Sequence, residues 1–318
     1  VRSVVMVLAL SLAVAGCSSS PEPTLVLPSP SASASPEPTL LSATQAPAPS
    51  PSPSSPARPR GGKPMADNTG VPAGTELTVV TGDQTFSTPG QVITGKEFRG
   101  FVKVTAANVT FRKCVFRGRA TSNNASLLDT RKSTNTVVED SEFVAASPSA
   151  GIDGVWARNT KMYRVNIHGV VDGVKAESNV LIQDSYIHDM KWFASDPNQG
   201  GGPTHNDGVQ SFEGDSGITL RHNNIDLSSD KRANAAWQTS ASDSLVEDNW
   251  LDGGGCTLNF AHRDGRPLTG NRVIGNRFGR KSFFNCPILI STKTVLAQNS
   301  GNVWADTGKP IPAPQQHD

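Results

Sequence analysis

Between Phe111 and Phe278 the chain repeats one frame, two apolar residues separated by four mostly polar ones. The frame runs from Phe111 to Phe116, Val138 to Phe143, Met162 to Ile167, Ile182 to Ile187, Leu220 to Ile225, Val246 to Leu251 and Val273 to Phe278. Successive starts lie about 20 to 27 residues apart, with one longer step between Ile182 and Leu220, a period that marks a solenoid. A repeat of that length cannot bury its apolar face alone, so neighbouring copies must stack. Ahead of each frame a second strand is expected, its inward residues being Val104, Leu128, Val155, Val174, Val209, Trp237 and Leu258, with Ile288 opening the last turn. Two short β-branched strands per repeat, without helical periodicity, predict a coiled parallel sheet.

Composition agrees with many short strands and turns: aromatics are 6%, with 29 Gly and 23 Pro. A formal net charge of +1 over 318 residues makes nucleic acid a poor partner. Inside the frame sits a column of Cys114, Ser141, Val165, Ser185, Asn223, Asn249 and Asn276. Its Ser and Asn side chains can satisfy backbone groups on adjacent turns.

The N-terminal region is of another kind. Val1-Arg2-Ser3 followed by the apolar run Val4 to Ala15 reads as a secretion signal, with Val1 a start at an alternative initiation codon. The run is short for a membrane span. It ends in Val14-Ala15-Gly16-Cys17, which resembles the lipobox of bacterial lipoproteins. That resemblance implies lipidation of Cys17 and anchorage on the outer face of the cell membrane. Residues 18–66, rich in Ser, Pro, Ala and Thr, cannot offset their chain entropy by burial and are expected to form a disordered stalk. Residues 67–318 are expected to form the folded domain.

Two runs, Asn179 to His188 and Gly217 to Ile225, resemble right-handed parallel β-helix repeats of the pectate-lyase-like superfamily. Thr204-His205-Asn206-Asp207-Gly208-Val209-Gln210 resembles a segment of actinobacterial secreted β-helix proteins. The likeness covers about Thr75 to Trp304. It implies an all-β, right-handed, single-stranded parallel β-helix, and it leaves the reaction open, because the superfamily hosts lyases, hydrolases, epimerases and plain binders. The residue sets of polygalacturonases and alginate epimerases are absent, as are a phosphate loop and a nucleophile elbow. Cys256 and Cys286 each precede an inward apolar residue by two positions on neighbouring turns. Strands about 4.8 Å apart suit a disulfide there, while Cys114 is expected to be buried and inert.

Alternation along the strand preceding each frame places Thr105, Asp129, Trp156, Lys175, Gln210, Gln238 and Asn259 outward. A second outward column reads Arg131, Arg158, Glu177, Phe212 and Ser240. Arg131, Arg158 and Lys175 suit carboxylates or sulfates; Trp156 and Phe212 suit sugar rings; Gln210 and Gln238 add amides. This face is expected to bind an extended wall or extracellular polysaccharide, most readily an acidic one.

The tripeptide Asp-Gly-Val occurs at Asp153, Asp172 and Asp207, at the start of successive strands. Turn chemistry alone accounts for it if Asp caps the turn and Gly takes a positive φ. A more consequential reading places His168, Asp172, His188, Asp189, His205 and Asp207 at one corner, beneath a Gly-rich insertion, Lys191 to Thr204, that carries Trp192 and Phe193. Long insertions in compact folds are often functional. Three chemistries compete for this corner, and β-elimination of an acidic glycan is the expected one. A lyase would use His188 or His205 as base, or Lys175 with a depressed pKa, with Arg158 on the uronate. A glycosidase would pair Asp172 with Asp207. A metal site would use Asp172, Asp189 and Asp207, their oxygens suiting calcium. A non-catalytic glycan binder is the remaining alternative. His222 and His262 read as surface or turn residues, His317 as part of a frayed tail, and Trp237 as core.

Overall fold

The computed structural model describes residues 62–261 and 266–317. The signal-like run, Cys17, most of the Ser/Pro-rich stretch and His262 lie outside the described residues. The described chain is all-β and winds into three parallel sheets of short stacked strands, two of ten strands and one of nine. Along the chain the sheets are visited in the order A, B, C, so each full turn contributes one strand to each. In the turn around Asp153, for example, Glu142–Val144 belongs to sheet A, Ile152–Ala157 to sheet B and Thr160–Tyr163 to sheet C. The architecture is a parallel β-helix.

Each turn thus holds three strands rather than two. The six-residue frame is not one strand; it bends midway. Its first apolar residue lies in sheet C and its last in sheet A, as with Met162 and Ile167. Between them the chain corners through a residue at positive φ: Lys113, Asp140, Arg164, Asp184, His222 and Asp248 on successive turns. The residue after each corner points inward and belongs to the expected polar column. Ser185 Oγ accepts the Val165 N–H at 3.1 Å, and Asn223, Asn249 and Asn276 each accept the N–H of the preceding member at 2.8–3.0 Å. Asn302 extends the ladder one turn further. The same amides donate back to carbonyls, Asn249 Nδ2 to Leu220 O at 2.9 Å for instance. All these side chains are buried, and the mutual bonding removes the cost of burying amides.

The rest of the interior is apolar, from Phe98, Phe111, Phe116 and Phe143 at the N-terminal end to Leu258, Phe278 and Ile288 near the other. Phe116 and Phe143 stack at 4.5 Å. Each fully buried ring of this kind contributes about 1.5–3 kcal/mol. Trp237 is fully buried, as its position in the inward column requires. Cys256 and Cys286 face each other in register on sheet B and are disulfide-bonded, with Cα atoms 4.6 Å apart. Cys114 is buried, and desolvation raises its thiol pKa.

Register on sheet B fixes what faces outward. Val155, Val174, Val209 and Trp237 pair successively, as do Trp156, Lys175, Gln210 and Gln238. At the N-terminal end the alignment differs by two residues from expectation. Val102 pairs with Leu128 and Lys103 with Asp129, so Lys103 rather than Thr105 heads the outward column. Val104 is also inward and buried, which makes the two registers indistinguishable by pattern. Ser240 turns in, its hydroxyl donating to Ala261 O, and Phe212 is half-buried.

Sheet A is partly covered from outside. Pro64 and Gly70 are buried, the Gly70 N–H donates to Arg164 O at 2.8 Å, and Asn224 Nδ2 contacts Met65 Sδ at 3.4 Å. The chain is therefore already packed on the helix at Pro64. At the other end Gln315–Gln316 closes sheet B and the His317 N–H donates to Ile290 O, so this tail is paired rather than frayed.

Candidate functional site

The three Asp-Gly-Val copies start neighbouring strands of sheet B, and their aspartates form a ladder. Asp153 Oδ1 accepts the Asp172 N–H at 3.3 Å, and Asp172 Oδ1 accepts the Asp207 N–H at 2.9 Å. Asn234 Nδ2 continues it, donating to Asp207 Oδ1 at 2.9 Å. The glycines serve closeness, not a left-handed turn: none of Gly154, Gly173 and Gly208 has a positive φ. A Cβ at Gly173 would lie 2.4 Å from Gly208 O and 2.8 Å from an Ile187 methyl, and one at Gly154 would lie 2.3 Å from Gly173 O. The motif thus combines an Asp that ties each turn to the next with a Gly that lets the turns approach.

The free oxygens of this ladder meet one cation. Lys175 Nζ lies 2.7 Å from Asp153 Oδ2 and 3.2 Å from Asp172 Oδ2. Trp156 Nε1 donates to the same Asp153 oxygen at 2.7 Å. Asp153, Asp172 and Asp207 are all nearly or fully buried. Desolvation first, and the neighbouring Asp153 charge second, raise the Asp172 pKa to about 7 against the pull of Lys175. Burial and then Asp172 raise Asp207 well above the carboxylate range. Burial works against the charge on Lys175, but Asp172 and Asp153 outweigh it and hold the ammonium more firmly than usual. Lys175 is therefore a fixed cation and not a neutral base.

The 191–204 insertion roofs this ladder. Its ends are clasped by Phe193 and Thr204, the Thr204 N–H donating to Phe193 O and its hydroxyl accepting the Phe193 N–H. A short 3-10 turn, Pro197–Gln199, is capped by the buried Asp196, which accepts the Asn198 N–H at 2.8 Å. From there Asn198 reaches back to Asn124, whose turn precedes that of Asp153. The two amides bond reciprocally at 2.8 and 2.7 Å. Beneath lies a polar cleft of about 70 Å³, lined by Asp153, Asp172, Lys175, Asp196, His205 and Gln210 among others. His205 is exposed at its mouth. Trp192, on the loop, lies under the Arg232 guanidinium at 4.0 Å.

The corner expected from sequence separates into two groups. His168 and His188 lie on the outer face of sheet A, stacked at 4.9 Å, with Tyr186 on His188 at 3.9 Å. His168 Nε2 is 3.0 Å from Glu142, while His188 contacts Asp189 at 2.7 Å and Asn166 at 3.1 Å. Desolvation lowers the His188 pKa against the opposing bond to Asp189. Among the described residues, no hydrogen bond, ion pair or ring contact links these two histidines to Asp172, Asp207 or His205. The chain leaves sheet A just after His188 and joins sheet B only at Asp207, two residues after His205. Asp189 goes with His188, so the expected trio Asp172, Asp189 and Asp207 is split. Its members are already occupied by N–H, ammonium and imidazole partners. Among the described residues no group of three or more His, Cys, Asp or Glu side chains suits a metal, and the donor set does not fit calcium.

The expected cationic face is likewise neutralised internally. Arg131 pairs with Asp129 at 2.8 Å and covers the Trp156 ring at 4.2 Å. Arg158 pairs with Glu177 at 2.8 Å. Gln210 Nε2 lies 3.4 Å from Asp207 Oδ2, and Gln238 Oε1 is 3.5 Å from Asn234 Nδ2. Asp153, as the first copy of the triplet, and Asp196, in the insertion, are the cleft residues that sequence reasoning left aside. No family model matches the chain, and no curated protein or solved structure matches it.

Proposed function

We propose that the protein hydrolyses an extracellular glycan in the cleft between sheet B and the 191–204 loop, as a lipid-anchored β-helix of the pectate-lyase-like superfamily. The observation that carries this reading is the Asp153–Lys175–Asp172 group opening on that cleft. Asp172, with a pKa raised to about 7, retains a proton near neutrality and is suited to protonate a leaving glycosidic oxygen. Asp153, on the adjacent strand and held by Lys175 and Trp156, is the second carboxylate. Both carboxyls meet the same ammonium, Lys175 Nζ at 2.7 and 3.2 Å, which keeps them within the short separation, roughly 5 to 5.5 Å, that suits a retaining pair better than an inverting one. Asp153 would then attack the anomeric carbon as the C–O bond breaks; water, deprotonated by Asp172, would release the sugar. Asp207, wholly buried, supports the pair from below rather than touching the substrate.

The geometry favours hydrolysis over β-elimination. A lyase needs an uncommitted cation for the uronate carboxylate, whereas Lys175 already serves two aspartates and Arg158 serves Glu177. His188 faces away on sheet A. The cleft, with Asp153, Asp172 and Asp196 on its walls and Lys175 as their counter-charge, favours a neutral or amino sugar at the point of cleavage. The test is incubation with a panel of neutral, amino-sugar and uronate glycans. New reducing ends without unsaturated product, lost in Asp172→Asn and Asp153→Asn, are expected. Unsaturated uronate would move the assignment to a lyase based on His205, and retention without cleavage would leave a glycan-binding protein.

A further inference from the structure

A second cleft opens on sheet B on the N-terminal side of the first. It measures about 280 Å³ and is lined by Asp83, Phe101, Lys103, Asp129 and Trp156, among others. Trp156 joins the two, its ring lining this cleft while its N–H holds Asp153 in the other. The charges differ sharply between them. Here Asp83 is bound through both oxygens by Arg119, at 2.9 and 2.7 Å, and Asp129 is bound by Arg131. Lys103 makes no hydrogen bond or ion pair of its own among the described residues. It is half-buried, lines the cleft together with Phe101 and Trp156, and sits directly beside Asp129 in register.

We infer that this second cleft is a subsite for a pyranose ring bearing an anionic substituent, read by the Lys103 ammonium, so that the substrate alternates acidic sugars with neutral or amino sugars. Phe101 and Trp156, each with an arginine over one ring face, supply apolar contact for a sugar. Asp83 and Asp129 each have an arginine partner, so the Lys103 ammonium, bonded to no side chain although its charge also acts on Asp129, is the cation in excess among the residues named. Three strand spacings separate Lys103 from Lys175, roughly 14 Å, enough for more than one ring between the anionic sugar and the acidic point of cleavage. This proposal rests on the glycan reading above and deepens it. It also returns the acidic-glycan expectation to a different place: the carboxylate is bound beside the cut, not at it.

The test uses the full chain and Lys103→Gln, which keeps most of the side-chain stem at an outward position. Two probes serve, each with its carboxyls intact and reduced: peptide-free wall glycan strands, which alternate a lactyl-bearing sugar with N-acetylglucosamine, and glucuronate–N-acetylglucosamine oligosaccharides. The unmodified chain should bind an intact probe at least about tenfold more tightly than its reduced form, a difference of about 1.4 kcal/mol. Lys103→Gln should abolish that preference and leave affinity for the reduced probe unchanged. A preference that survives in Lys103→Gln, or equal binding of both forms by the unmodified chain, overturns the subsite while leaving the glycan reading intact. Failure of the unmodified chain to bind any probe overturns both.

Discussion

Asp172 uses its two oxygens for different purposes: Oδ1 accepts the N–H of Asp207 one turn further on at 2.9 Å, and Oδ2 faces Lys175 Nζ at 3.2 Å. One oxygen builds the solenoid and the other faces the cleft. The structural and the chemical reading of the Asp-Gly-Val repeat therefore coexist in a single side chain.

A pH dependence follows from this carboxyl. Its folded pKa, about 7, lies above the ordinary carboxylate value of 3.8, so the native state holds more protons than the unfolded chain between those limits. Stability from this group is full below about pH 4 and is lost as pH rises towards 7. His188, with a lowered pKa, acts in the opposite sense but is common to both proteins compared. Asp172→Asn should therefore gain stability relative to the unmodified chain as pH rises from 5 to 8, measured as the difference in Tm. A constant difference across that range would refute the assignment.

The glycines of the repeat make a second prediction. Gly173→Ala would set a methyl against Gly208 O at 2.4 Å, with Ile187 at 2.8 Å on another side. Backbone cannot yield as a flexible side chain does, so a loss of about 3 kcal/mol or more is expected, at the upper end of overpacking costs. Gly62→Ala, with no heavy atom within 4 Å, should change stability little. Urea midpoints of the two variants separate the cases.

The Asn ladder supplies a third. Asn249 accepts from Asn223, donates to Leu220 O and bonds Asn276, all in the interior. Asn249→Ala would strand at least two buried polar groups at about 1–3 kcal/mol each, so a loss of roughly 3 kcal/mol is expected. Asn249→Ser should cost clearly less, because Ser185 performs the same acceptor role with its hydroxyl at 3.1 Å from Val165 N. Equal losses in the two variants would show that packing volume, not the ladder, sets the cost.

Much of this was legible in the chain because stacking turns residue types into columns. Phe116, Phe143, Ile167 and Ile187 announce a shared inward position, and Cys256 with Cys286 fix a register. The sharp corner inside the six-residue frame was not legible, since Lys113, Asp140, Arg164 and His222 have no common side chain to signal a positive φ. Nor was the register of Lys103, because Val102 and Val104 are both buried and either could pair with Leu128. The histidines misled for a geometric reason: His188 and His205 flank one insertion in sequence, yet a corner between sheets separates them. Charge pairing was equally hidden, as neither Arg131 with Asp129 nor Lys175 with two aspartates follows from column order alone.

The last prediction concerns Trp156, whose indole N–H reaches Asp153 Oδ2 at 2.7 Å while its ring lies under Arg131 and lines the second cleft. Trp156→Phe keeps an aromatic face but deletes the donor. Hydrogen bonds to charged groups contribute about 1.5–3 kcal/mol, so a fall in kcat of at least about tenfold is expected. KM should move little, because an aromatic ring remains to meet the sugar. Trp156→Ala removes both, and should raise KM as well as lower kcat. If Trp156→Phe changes KM alone, the indole is a binding surface with no hold on Asp153's reactivity, and the two clefts work independently.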